Sequence, residues 1–173
     1  LIDKFWYEHN RDLIIEKDFL IKHQIFWKTF RKHDTIEIRK KYTKPYPDTD
    51  YLQELKKQNY KMGIVTSSPQ HIADLEISLI GKELFESVII AQKKHGINQK
   101  PHPHGLIKCL NILNVEKQAA IYVGNGLEDI QTGKRAGVLD IYIDRNEYQL
   151  KKEKPTKKIK TLYQLKQILN NKK

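Results

Sequence analysis

Three short stretches hold residue types able to handle a phosphate, and each follows an apolar run. Thr66-Ser67-Ser68-Pro69 puts hydroxyls and backbone N–H groups where a helix is about to start, a ready anion site. The same residues are the usual helix caps, so both readings stand. Lys100-Pro101-His102-Pro103 holds a lysine beside a rigid turn, a point charge suited to a phosphate or carboxylate. His102 and His104 read as surface residues, because side chains separated by a proline in extended chain diverge. Gly124-Asn125-Gly126-Leu127-Glu128-Asp129 lets the backbone turn while oxygen-bearing side chains converge, a place for a hard cation such as Mg²⁺. It is equally a capped helix start with Asp129 in the first turn, where the helix dipole favours an acid.

These stretches need a scaffold that brings them to one edge. From Pro45 onward, short apolar runs alternate with segments of helical period, the pattern of βαβ units and a parallel sheet. The spacing predicts strands over 62–65, 88–91, 119–123 and 139–143, each buried on both faces. Between them Leu52/Leu55, Ile72/Leu75/Leu79, Leu106/Leu110/Leu113 and Ile159/Leu162/Leu165/Leu169 recur at helical spacing, most simply as core. Ser68 before Pro69 reads as an N-cap, and Asp48 or Asp50 as the cap of the helix carrying Leu52. The expected fold class is α/β, a Rossmann-like parallel sheet with helices on both faces. In such sheets ligands bind beyond the carboxyl ends of the strands, where all three stretches fall.

Residues 1–44 contain no glycine or proline and carry Phe5, Trp6, Tyr7, Phe19, Phe26, Trp27 and Phe30. They read as an all-helical unit, with the α/β unit over 45–173. The Lys-rich stretch 151–160, with Pro155, reads as a solvated loop before a last helix. At 39% hydrophobic and 31% charged, the composition is that of a globular protein and excludes disordered or collagen-like classes. No apolar run approaches the roughly 18 residues of a membrane span. A single cysteine, Cys109, and no secretory pattern at the first residues make a cytoplasmic setting the expectation. The chain begins at Leu1 and its one methionine is Met62, so further residues are expected upstream. The net charge of +11 divides into +4 over 1–44, −1 over 45–147 and +8 over 148–173. With 27 Lys to 5 Arg, mostly near the ends, it reads as solvated surface rather than base readout. Nucleic acid is therefore an unfavoured partner, and the oligomeric state is open.

Taken in order, the apolar run with Thr66-Ser67-Ser68-Pro69, then Lys100-Pro101, then Val123-Gly124-Asn125-Gly126-Leu127-Glu128-Asp129-Ile130 resembles the haloacid dehalogenase superfamily. The likeness is to its phosphoglycolate phosphatase and β-phosphoglucomutase-like branch. It spans about 45–143 and includes Pro45-Tyr46-Pro47 and the Gly-Lys-x-Ala-Gly run at 133–137. The resemblance implies a Mg²⁺-dependent phosphohydrolase acting on a small phosphorylated substrate through an aspartyl-phosphate. Thr66 then holds the transferred phosphoryl group with Ser67 beside it, and Lys100 offsets charge between nucleophile and phosphate. Asn125 and Asp129 stand at the metal, and 1–44 is the remnant of a helical cap over the substrate.

Two departures accompany the likeness. The family's nucleophilic Asp-x-Asp, after an apolar strand, is absent. Asp48-Thr49-Asp50 follows Pro45-Tyr46-Pro47 and precedes a helix, so it reads as capping; Asp34, after Arg31-Lys32-His33, fails likewise. Asn125 also stands where the branch usually has an acid, which removes one negative charge. The chain thus supplies the surroundings of phosphoryl transfer without its nucleophile. Since the family's nucleophile strand lies mid-sheet, a gap is expected between the strands at 62–65 and 119–123. The alternatives are a non-catalytic phosphate-binding relative, a sugar phosphomutase, and a basic nucleic-acid-associated protein using the +8 tail.

Overall fold

The computed structural model describes residues 23–147, 150 and 153–170. Two helices open it, α1 (His23–His33) and α2 (Ile36–Tyr42). Thr35 caps α2 by accepting from the Ile38 amide. The helical reading of 1–44 holds for these residues, while Phe5, Trp6, Tyr7 and Phe19 lie outside the described ones. Arg39 of α2 grips Asp34 through two nitrogens and reaches Glu76 at 2.9 Å. That fastens these helices to the rest.

The α/β part runs α3 (Tyr51–Lys57), β1 (Gly63–Thr66), α4 (Gln70–Ile80), β2 (Ser87–Ile90), α5 (His104–Leu113), β3 (Ile121–Gly124), α6 (Leu127–Ala136), β4 (Leu139–Ile143), β5 (Lys157–Ile159) and α7 (Leu165–Asn170). All pairings are parallel, so within each sheet the carboxyl ends lie at one edge. β1 pairs with β2, Thr66 opposite Ile90. β3 pairs with β4, Gly124 opposite Tyr142, and β4 with β5, Ile143 opposite Ile159.

Side chains alternate between faces, as the pleat requires. Val65 and Ile89 pack with Leu106 and Leu110 of α5 on one face; Ile64, Val88 and Ile90 pack with Ala73 and Ile77 of α4 on the other. Ile141, Ile143 and Ile159 meet Tyr51, Leu55 and Leu165 of α3 and α7. Helices therefore cover both faces. Gly133 lets α6 sit close on β4, since a Cβ there would lie 2.8 Å from Asp140 Cβ.

The strands form two sheets, β1-β2 and β3-β4-β5, with no hydrogen-bonded link from β1 to β3. Between them runs a slot of about 820 Å³, lined by Ile64 and Val65, Ile121 and Val123, and by Leu55 and Cys109 from the helices. The gap expected at this place is present among the described residues.

Several details correct the expectations. β1 and β3 are only partly buried, because each turns an unpaired edge to the slot although helices cover the faces. Residues 157–159 form β5 rather than loop: Ile159 turns inward between exposed lysines, and Thr156 anchors the segment by donating from its backbone and hydroxyl to Asp140. The 159–169 stripe is accordingly a strand, a turn and the short α7, not one helix. Ser68 caps no helix; α4 starts after Pro69, and the Ser68 amide donates to Thr66 Oγ1. Asp48 and Asp50 do not cap α3 with their side chains. Asp48 instead accepts from Arg145 at 2.8 Å and from the Leu162 amide at 2.7 Å, and Asp50 accepts from the Tyr163 hydroxyl.

Candidate active site at the carboxyl edge

Asp129 stands at the centre. It lies in the first turn of α6, buried against the end of β3, and Gly124 permits this because a Cβ at 124 would collide with Asp129 Cβ and Cγ. The Gly126 amide donates to Asp129 Oδ2 at 3.1 Å, so the carboxylate closes its own turn. Asp129 Oδ1 accepts from Lys100 Nζ at 2.6 Å, and both side chains are nearly out of water, at 12% and 8% exposed. Lys100 arrives from the loop after β2 and Asp129 from the helix after β3, so the ion pair joins the two half-sheets across the slot.

A third donor reaches the same oxygen. Tyr122 of β3 places its hydroxyl 3.2 Å from Asp129 Oδ1 and 3.5 Å from the Val65 carbonyl of β1. Burial first, then the Asp129 charge, push the phenol well above the ordinary tyrosine range, so it stays protonated and donates.

Asn125 lines the same slot, and its Nδ2 donates to Glu147 Oε2 at 3.1 Å, which turns the other end of the amide, its oxygen, away from that bond. Tyr46 also contacts Glu147, whose carboxyl burial raises above the usual range. Thr66 ends β1; its hydroxyl accepts from the Ser68 amide at 3.1 Å and its carbonyl from the Ala91 amide. Ser67 Oγ is buried without a hydrogen-bond partner among the described residues, while Gln92 holds the Ser67 carbonyl at 2.8 Å. Lys100, Asn125 and Asp129 therefore share the lining of one cleft, which Thr66 does not line; Thr66 sits directly after the lining residue Val65. His102 and His104 serve their own loop, His104 Nδ1 accepting from Asn98 and His102 Nδ1 from the His104 amide.

As a donor set for a cation, Asp129 and Asn125 offer hard oxygens, one anionic and one neutral. The described residues hold no group of three or more His, Cys, Asp or Glu that could enclose a metal. Mg²⁺ takes one or two protein carboxylates and fills the rest of its shell with water and phosphate oxygens.

Tyr122 and Glu147 were not singled out from the sequence. A hydroxyl-bearing aromatic two residues before the strand-ending glycine was a usable sign, since a buried tyrosine oxygen usually has a partner. Glu147 comes from beyond β4 with no local signature.

The family model for haloacid dehalogenase-like hydrolases matches residues 2–143. The chain is 34% identical over 109 residues to a phosphoglycolate phosphatase of Aquifex aeolicus, covering 62% of this chain and 50% of that protein. It is 35% identical over 111 residues to pyrophosphatase PpaX of Halalkalibacterium halodurans, covering 64% and 51%. Among solved structures, an HAD phosphatase from Thermococcus onnurineus superposes with a TM-score of 0.68 at 31% identity, covering 85% of this chain and 70% of that one. The chain spans about half the length of these curated relatives.

Proposed function

The chain belongs to the haloacid dehalogenase-like hydrolase family, and from that premise we propose that it forms the phosphate-handling part of a Mg²⁺-dependent phosphatase for a small phosphate monoester. The observation that carries this reading is the Lys100–Asp129 pair, nearly dry, 2.6 Å apart, at the carboxyl edge beside the slot. Phosphoryl transfer depends on positioning and charge neutralisation more than on covalent chemistry from many groups. Lys100 supplies a cation that Asp129 aims. The Thr66 hydroxyl and the orphaned Ser67 hydroxyl supply donors for phosphate oxygens at the end of β1.

Asp129 and Asn125 would hold Mg²⁺, which when bound neutralises phosphate charge and orients the phosphoryl oxygens. The nucleophile of this reading is an aspartate outside the 173 residues, carried on a strand that fills the slot between β1 and β3. Two apolar edges facing each other across about 820 Å³ support that placement, because unpaired edges in a parallel sheet call for a partner. An aspartyl-phosphate then splits hydrolysis into two steps. Residues 1–44 form part of a helical cap and 45–173 the core, in a cytoplasmic protein.

The test is a panel of phosphate esters and pyrophosphate offered to the intact protein with and without Mg²⁺, with Lys100→Ala as control. Mg²⁺-dependent phosphate release that Lys100→Ala abolishes is expected. An isomerised sugar phosphate in place of free phosphate would make it a mutase, and phosphate binding without turnover would make it a non-catalytic relative.

A further inference from the structure

We propose that Tyr122 is a positioning residue of this site: its hydroxyl fixes the Asp129 carboxylate in the one orientation from which that group serves Lys100 and a bound cation. The proposal rests on the reading of Asp129 given above.

Tyr122 sits on β3 with its ring packed against the cluster formed by Leu106, Cys109 and Leu110 of α5. Phenylalanine would fill that apolar space equally well, and a polar oxygen placed there costs free energy unless it is hydrogen-bonded. The oxygen is spent on the site. A phenol has one proton to give, and of its two acceptors the nearer is the charged one, Asp129 Oδ1 at 3.2 Å against 3.5 Å for the Val65 carbonyl.

The consequence follows from counting donors. Asp129 Oδ1 takes Lys100 and Tyr122, and Oδ2 takes the Gly126 amide. Lys100 must be able to turn toward a phosphoryl oxygen if it is to neutralise charge there. When it does, Oδ1 keeps only the tyrosine, which is immobilised in the core and has nowhere else to go. Without that hydroxyl the carboxylate is held by the Gly126 amide alone and is free to follow the lysine. Groups that orient a metal-binding side chain from behind are typically worth 10- to 100-fold in metal affinity.

The experiment titrates Mg²⁺ alone into the intact protein, followed through the backbone amide resonances of Gly124 and Gly126, for wild type, Tyr122→Phe, Asp129→Asn and a form with 3-fluorotyrosine at 122. The expected result is 10- to 100-fold weaker binding for Tyr122→Phe, no binding for Asp129→Asn, and wild-type affinity for the fluorinated form, which keeps the hydroxyl. In turnover, Tyr122→Phe should lower kcat/KM by a similar factor, partly recovered at high Mg²⁺. Wild-type affinity in Tyr122→Phe beside lost affinity in Asp129→Asn would overturn the proposal alone. Fluorotyrosine as weak as phenylalanine would overturn it too, since the hydroxyl would then not be the cause. Wild-type affinity in Asp129→Asn, or no Mg²⁺ response in any form, would overturn the reading of Asp129 and the proposal with it.

Discussion

Replacing Lys100 by methionine removes the ammonium while keeping most of the aliphatic stem, so the change isolates the charge. Asp129 is left nearly buried with the Tyr122 hydroxyl and the Gly126 amide but no cation. Breaking a buried pair from one side costs about 3–5 kcal/mol, because the survivor is an uncompensated charge. Two remaining donors put the expected loss at the lower end, about 3 kcal/mol. For a protein of this size each kcal/mol is about 2–4 °C in Tm, so a drop of about 6–12 °C is expected. Adding Asp129→Asn removes the stranded charge while its neighbours still find an acceptor, so the double variant should be more stable than Lys100→Met. The assay is urea unfolding of wild type, both single variants and the double, closed as a cycle. A coupling near 2 kcal/mol is expected. Coupling below about 1 kcal/mol, the worth of an exposed pair, would refute the argument that this ion pair is a dry, structural part of the site.

Three further outcomes are open to measurement. Burial works to raise the Asp48 carboxyl, but donation from Arg145 and the Leu162 amide outweighs it and holds Asp48 below its ordinary value. Its contribution is then complete above about pH 4 and lost as the pH falls through the lowered folded value, so Asp48→Asn should flatten the acid limb of a stability-versus-pH curve. Gly133→Ala places a Cβ 2.8 Å from Asp140 Cβ and must push α6 off β4, costing about 1–3 kcal/mol; unchanged unfolding would show that the contact is slack. Glutamine at Lys151, Lys152, Lys154, Lys157 and Lys158 should leave unchanged any phosphate release measured under the proposed function and reveal no lost nucleic-acid affinity; loss of a salt-sensitive affinity for DNA would favour the binding alternative.

The sheet was legible because apolar runs of four or five residues between helical stripes admit few other arrangements, and 139–143 stands where the pattern put it. β5 was hidden by composition: only Ile159 of its three residues faces inward, and lysines occupy the rest. The capping expectations at Asp48 and Ser68 failed because local sequence shows which residues can accept an amide but not which amide comes near. Asp48 finds Leu162, more than a hundred positions away. Lys100 and Asp129 were legible as strand-end residues, and their contact follows once both loops share an edge. Tyr122 was not, since in a run such as Ile121-Tyr122-Val123 an aromatic reads as packing until its oxygen is seen at a carboxylate.

The central claim is that the slot between β1 and β3 receives a strand bearing the nucleophile. It is tested most directly by assaying residues 1–173 and the protein with its upstream segment side by side against phosphate esters with Mg²⁺. The account predicts no turnover and poor solubility for 1–173 alone, and recovery of both with the longer protein, because losing one member of a catalytic unit costs nearly the whole rate, on the order of 10⁶-fold in a well-studied hydrolase. Robust Mg²⁺-dependent hydrolysis by 1–173 alone would contradict it and would place the nucleophile among residues already present, Asp48 and Asp50 first.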